Sequence, residues 1–218
     1  MPTRLIKAAI VVAGLAIWFW TQGLIGSKTP PPDPRAIGDS VHDWTAGWNA
    51  ALHANKHLAH LLLIVSSACI DALGLFIIFR SIFGPSVRPF FGLILLFSLR
   101  QICQLTTTLP LPDNKIWEHP GFPSLLVTYG VSNDLFFSGH TAMAVYGCLE
   151  LFRLGSPLWR TVGIVVAIFE IVVVLVLRAH WNMDVFAGAV TALWIGGIAG
   201  QVAAPLDRWL GKTASAVD

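Results

Sequence analysis

The sequence predicts an all-α fold: an integral membrane bundle of six transmembrane helices with both termini cytoplasmic. Three observations carry that expectation. Hydrophobic residues make up 55% of the 218 and charged residues only 12%, about half the charge of a soluble globular chain. The mean hydropathy is +0.69. The apolar residues also gather in six runs that, at about 1.5 Å per residue, approach the roughly 30 Å of a hydrocarbon core. The same composition excludes disorder. A net charge of +2 without a Lys/Arg-rich run excludes a nucleic-acid binder. Cys69, Cys103 and Cys148 lie inside apolar runs and form no Cys-x-x-Cys pair, which argues against a disulfide framework or a thiolate metal site.

The first run, residues 8–25, follows a basic start in Arg4 and Lys7 that would also suit a signal peptide. Its apolar part is long, ends in bulky Trp18, Phe19 and Trp20, and shows no small-residue cleavage pattern, so a retained helix is expected. An outward loop over residues 27–60 comes next. Its Pro-rich start, residues 29–34, is too stiff for a helix. Ser40 then stands three residues before Asp43, a capping-box-like helix start. Trp44, Trp48 and Leu52 recur at i, i+4 and i+8, which predicts an interfacial helix lying in the headgroup layer. His53, His57 and His60 fall at i, i+4 and i+7 on one helical face; that spacing could hold a metal, but the wet side of an interfacial helix is the plainer reading and no metal is expected.

The second and third spans are placed at residues 61–79 and 89–109. A third loop rich in proline (Pro110, Pro112, Pro120, Pro123) has no helical periodicity. It leads to the short fourth span at 141–154, followed by 158–177 and 184–204. Six spans bring both termini to one side, which then holds eight of the basic residues: Arg4, Lys7, Arg80, Arg88, Arg153, Arg160, Arg208 and Lys212. The other side holds five, Lys28, Arg35, Lys56, Lys115 and Arg178, over longer loops. The positive-inside rule therefore puts the termini in the cytoplasm and the first and third loops outside. No repeat or second domain is visible, so residues 1–218 are expected to form one membrane domain in a plasma or bacterial inner membrane.

Charges inside spans mark functional or pairing sites, because an unpaired charge in hydrocarbon is costly. Asp71, Arg100 and Glu170 are predicted at similar depth, so Arg100 is expected either to pair with one or both acids or to serve a site near the outer end of its helix. Glu150 and Arg153, at i and i+3, read as a plain helix pair.

Of the seven histidines, His42 and His119 lie in loops and say little. His140 opens the fourth span in Phe137-Ser138-Gly139-His140-Thr141. There Ser138 can cap the helix, Gly139 lets a ligand approach the backbone, and the helix N-terminus offers a seat for phosphate. His180 begins the last span in Arg178-Ala179-His180-Trp181-Asn182-Met183-Asp184. If that stretch is helical, Asp184 lies one turn on and can fix the imidazole tautomer, making His180 a competent nucleophile toward phosphorus. His-x-x-x-Asp alone is a weak signal. The joint arrival of two histidines, a paired acid and two arginines at one membrane face is stronger.

Three motifs in order, Leu99-Arg100-Gln101-Ile102-Cys103-Gln104-Leu105-Thr106-Thr107-Thr108-Leu109-Pro110-Leu111-Pro112, then Ser138-Gly139-His140-Thr141, then His180-x-x-x-Asp184, resemble the sphingomyelin synthase family. Related plant phosphatidylcholine:diacylglycerol cholinephosphotransferases share the pattern, and both belong to the broader type-2 phosphatidic acid phosphatase superfamily. The resemblance covers roughly residues 30–200, with Pro31-Pro32-Asp33 as a fainter match. It implies that His180 is a nucleophile forming a phosphohistidine, oriented by Asp184, and that His140 protonates the departing lipid alkoxide and then deprotonates the acceptor. It also implies that Asp134 and Glu118 support the site and that Arg100 and Arg178 bind phosphate oxygens, a task suited to the guanidinium fork. The chain departs from the family in Ser132-Asn133 before Asp134 and in Trp181-Asn182 after His180. The superfamily's phosphatase motif is also unmet, since seven residues separate Arg80 from Arg88-Pro89, which counts against a plain phosphatase.

The expected activity is a membrane-embedded transferase that needs no cofactor and no metal. It would move phosphocholine or phosphoethanolamine from a glycerophospholipid donor to diacylglycerol or ceramide, with the site on the extracytoplasmic side. A hydrolase with the same site is the nearest alternative. From another class, a bis-histidine haem protein is the competitor, since facing histidines in a bundle suit a b-type haem.

Overall fold

The computed structural model describes residues 2–27, 37–130 and 134–215. Among them are eight helices and no strand: α1 (Pro2–Gly26), α2 (Ser40–Trp44), α3 (Ala46–Ala54), α4 (Lys56–Phe83), α5 (Arg88–Thr106), α6 (Gly139–Phe152), α7 (Pro157–Val176) and α8 (Asn182–Ser215). The proline-rich residues 29–34, the charges Lys28 and Arg35, and Ser132-Asn133 lie outside the described residues.

Five helices, α1, α4, α5, α7 and α8, are long and apolar enough to cross a membrane. The sixth expected span is not among them. α6 has 14 residues, about 21 Å at 1.5 Å each, well short of a hydrocarbon core. The third loop occupies the space beside it. Leu126 and Val127 are buried in the main core with Ile70, Leu73, Phe137 and Met143, so irregular backbone enters the bundle sheathed by protein, a setting in which a membrane tolerates it. α6 is the buried centre of the molecule, with Ala142, Ala144 and Tyr146 fully enclosed. It packs most extensively on α7 and α8, while α5 lies against α8 and α1 flanks α4 and α5.

Helix ends follow local chemistry. α5 stops at Thr106, short of the expected 109, because Pro110 and Pro112 disfavour helical backbone before them. The interfacial helix is two pieces, and its cap is Asp39 rather than Ser40: the Asp39 carboxylate accepts from Val41 N at 3.0 Å and His42 N at 3.3 Å. The break between α2 and α3 means that Trp44, Trp48 and Leu52 do not form one stripe. The tryptophans are 80% and 63% exposed, whereas Leu52 is buried. A second break at Asn55, which caps α4 by accepting from Leu58 N, separates His53 from His57 and His60. His53 bonds Asn114 O and His60 meets Glu118, so the three imidazoles do not converge.

The two ends of the bundle differ. One is tied by charge: Arg88 grips both oxygens of Glu150 at 2.6 and 2.7 Å, and Arg153 joins the same carboxylate while donating to Gly196 O. Glu150–Arg153 is thus part of a knot that joins α5, α6 and α8 rather than a plain helix pair. At this end Lys7 of α1 donates to Gly84 O and Asp207 of α8 accepts from Val87 N, so the helices that begin and end the chain meet there. The opposite end gathers the C-termini of α5 and α7, the N-termini of α6 and α8, and the first and third loops.

The intramembrane charges are partnered otherwise than expected. Arg100 contacts neither Asp71 nor Glu170. Asp71 instead accepts from Leu125 N at 2.8 Å and Leu126 N at 2.9 Å, fastening the third loop to α4. Glu170 accepts from Ser66 Oγ at 2.7 Å across the α4–α7 contact. Both acids thereby find neutral donors, and the guanidinium is left for the loop above it.

Candidate active site

Ser138 caps α6: its Oγ accepts from Thr141 N at 3.3 Å, and its own N–H donates to Asp184 O at 3.0 Å. One residue thus joins the starts of α6 and α8. Gly139 follows because Arg100 lies against it; a Cβ there would stand 3.2 Å from Arg100 Cζ and Nε. Arg100 in turn anchors the segment before α6. Its Nε donates to Phe137 O at 2.6 Å, and its Nη2 is in close ion-pair contact with Asp134, which also accepts from Gln104. Burial works against a charge on Asp134, but Arg100, His180 and the Gln104 bond prevail and hold the carboxyl below its usual range.

These groups open on one cavity. Arg100, Asp134, Gly139, His140 and His180 line it, with Lys115 and Trp117 from the third loop and Trp18, Phe19 and Gln22 from α1. His140 Nε2 is buried without a partner, and its ring is met edge-on by Trp117 at 4.9 Å between centroids. His180 is 5% exposed. Its Nδ1 faces Asp184 Oδ2 at 3.7 Å, within ion-pair reach but longer than a hydrogen bond. The pair is not set by helical spacing, because α8 begins at Asn182, after His180. Asp184 Oδ2 instead accepts from Trp181 N at 3.0 Å, so a turn brings acid and imidazole together.

The first loop holds this turn from outside. His42 Nε2 meets His180 O at 3.0 Å and its ring stacks on Trp181, while Asp39 accepts from Asn182 N at 2.6 Å. His42, set aside in the sequence as a loop residue, is therefore a buried neighbour of His180.

Two residues expected at the site lie elsewhere. Arg178, in left-handed backbone at φ 53°, does not line the cavity; its guanidinium donates to Asp113 O and His42 O and ties the first and third loops together. Glu118 is exposed and meets His60 at 3.2 Å in a separate surface cleft. Conversely, Lys115, Trp117 and Gln22 went unnoticed in the sequence. A basic and an aromatic residue in an unpatterned loop give no sign of turning inward. A glutamine in an apolar run was the one usable signal. Burial pulls the Lys115 ammonium below its usual range, Asp134 working the other way. Among the described residues no group of three or more His, Cys, Asp or Glu side chains is placed to hold a metal ion.

A family model described as AtPDCT1/2 matches residues 38–201. The chain belongs to the AtPDCT1/2 family. The matched stretch runs from just before Asp39 to past the middle of α8, so the cavity wall lies within it apart from the part contributed by α1. Phosphatidylcholine:diacylglycerol cholinephosphotransferase 1 of Arabidopsis thaliana is 23% identical to it over 189 residues, covering 87% of this chain and 60% of that protein. The chain spans about 60% of the length of this curated relative. No solved structure matches the chain. With five apolar helices and this membership, this AtPDCT1/2 family protein is a multi-pass helical membrane protein.

Proposed function

We propose that the protein transfers a phosphorylated headgroup, phosphocholine or phosphoethanolamine, from a glycerophospholipid to the hydroxyl of diacylglycerol or ceramide. The observation that carries this reading is the shared cavity of His140, whose Nε2 is unpartnered, and His180, whose Nδ1 faces Asp184, beside the Arg100 guanidinium. Membership of the AtPDCT1/2 family and likeness to a cholinephosphotransferase support it.

In the proposed first step His180 Nε2, the nitrogen turned from Asp184, attacks phosphorus. The N–P bond forms as the phosphorus–oxygen bond to the diacylglycerol breaks. His140 Nε2 gives its proton to the departing alkoxide, and Asp184 steadies the charged imidazole on His180. In the second step the acceptor hydroxyl loses its proton to His140 and attacks the same phosphorus, and the N–P bond breaks. Arg100 and the N–H groups opening α6 hold the equatorial oxygens throughout. The 3.7 Å gap between His180 and Asp184 is of the kind that tightens when substrate arrives. One cavity wall is apolar, built by Trp18, Phe19, Ile70 and Phe97, which favours a lipid hydroxyl over water as acceptor. The basic residues Lys7, Arg88 and Arg153 gather at the end remote from the cavity, which supports an extracytoplasmic site.

The test is incubation of the purified protein with headgroup-labelled phospholipids, with and without diacylglycerol or ceramide. Label should appear in a second lipid; label released to water would make the enzyme a hydrolase, and a Soret band without turnover would favour the haem reading. His180→Ala should abolish both transfer and an acid-labile phosphoprotein. Activity surviving in that variant overturns the nucleophile assignment.

A further inference from the structure

We infer that Gln22 of α1 binds the acceptor lipid, recognising a free hydroxyl beside an acyl carbonyl, and so sets the enzyme's preference for its second substrate. Gln22 lines the same cavity as the two histidines. It is 6% exposed, and both its Oε1 and its Nε2 are buried without a hydrogen-bond partner. A side-chain amide left unmatched in this way loses its bonds to water and gains nothing in return, a cost of about 1–3 kcal/mol, so a fold has no reason to retain one for its own sake.

The neighbouring helix shows what a structural amide does. Gln101 of α5 donates its Nε2 to Trp18 O and so ties α5 to α1. Gln22, one turn above Trp18 on the same face, makes no such tie. Its chemistry selects among lipids. An amide offers a donor and an acceptor together, whereas the ester carbonyls and phosphate of a donor phospholipid only accept and would leave Oε1 unmatched. An acceptor alcohol offers both: its hydroxyl donates to Oε1, and the acyl carbonyl next to it accepts from Nε2. Diacylglycerol and ceramide share that arrangement through an ester and an amide respectively. The apolar tails would have a route as well, because a groove between α1 and α5, walled by Ile17, Ile94 and Phe97, meets the cavity at Trp18.

This inference rests on the cavity being a lipid headgroup-transfer site, and the experiment separates the two ideas. Gln22→Leu and Gln22→Met keep the volume and remove the amide. In vesicles with labelled phosphatidylcholine and graded dioleoylglycerol or ceramide, each variant should raise the half-saturating acceptor fraction about tenfold, the worth of two ordinary hydrogen bonds. Donor dependence should hold. Without lipid, the variants' melting temperature should equal or exceed the wild type's, because a mismatched amide has gone; with dioleoylglycerol or ceramide added, their stabilisation should shrink. Unchanged acceptor dependence and unchanged lipid stabilisation would overturn the assignment, as would a shift in donor dependence alone. If the wild type is stabilised by either acceptor yet moves no headgroup, the transferase reading fails, while the stabilisation of the variants still decides Gln22.

Discussion

Replacing Gly139 by alanine separates stability from catalysis. The new Cβ would lie 3.2 Å from Arg100 Cζ and Nε, so the guanidinium must retreat by a few tenths of an ångström. It is not free to do so, since Nε is bonded to Phe137 O at 2.6 Å and Nη2 is held by Asp134. Overpacking of this kind costs about 1–3 kcal/mol. Against it, alanine in place of glycine favours helix by about 0.5–1 kcal/mol, so net destabilisation should stay near 1–2 kcal/mol. Activity should suffer more. A misplacement of about 1 Å costs roughly a hundredfold in rate, so a shift of a few tenths at the proposed phosphate clamp predicts about a tenfold loss. Thermal unfolding and headgroup transfer measured on the same preparation read the two effects. A variant with wild-type rate and wild-type melting temperature would refute the reasoning, because Arg100 would then neither touch residue 139 nor hold the reacting phosphate.

Two further outcomes follow from the cavity end of the bundle. Asp71→Ala removes a carboxylate that accepts two backbone N–H groups of the third loop; allowing for partial exposure, it should cost about 2–3 kcal/mol and speed proteolytic cleavage between residues 107 and 130, and an unchanged digestion pattern would count against the fastening. Asp134 lies below its usual range in the folded protein, so the stability it contributes is present above the ordinary carboxylate pKa of about 4 and lost as pH falls through its lower folded value. Melting temperature followed below about pH 4 should show this acid limb in the wild type and not in Asp134→Asn, which should itself be less stable at neutral pH by about 3–5 kcal/mol because Arg100 is left unpaired.

The long apolar helices were legible because hydropathy is additive along a chain, and α1, α4, α5, α7 and α8 all overlap expected spans. α6 runs between the same two ends of the bundle but at 14 residues is shorter than a span, and apolar content does not say that loop residues such as Leu126 and Val127 will join the core beside it. At the site, Arg100, Asp134, Gly139, His140 and His180 could be picked out because each belongs to a short ordered pattern, and the fold brings them to one cavity. Arg178 was chosen by residue type and position, but direction decides its part: a left-handed backbone at φ 53° sends its guanidinium to two carbonyls instead of the cavity. Lys115 and Trp117 come from an irregular segment and His42 from a five-residue helix, and their inward placement depends on distant partners such as Asn49, which donates to Val176 O and Asn114 O. Such long-range closures leave no periodic trace.

The grip of the first loop on the turn that carries His180, through His42 and Asp39, has a practical corollary for any redesign built on the proposed transfer activity. A swap of headgroup preference that transplants only cavity-facing side chains would leave the proposed nucleophile, the His180 imidazole, clasped by a foreign handle. Residues 37–54 and the segment 178–184 behave as lock and latch, and a chimera should exchange them as one cassette.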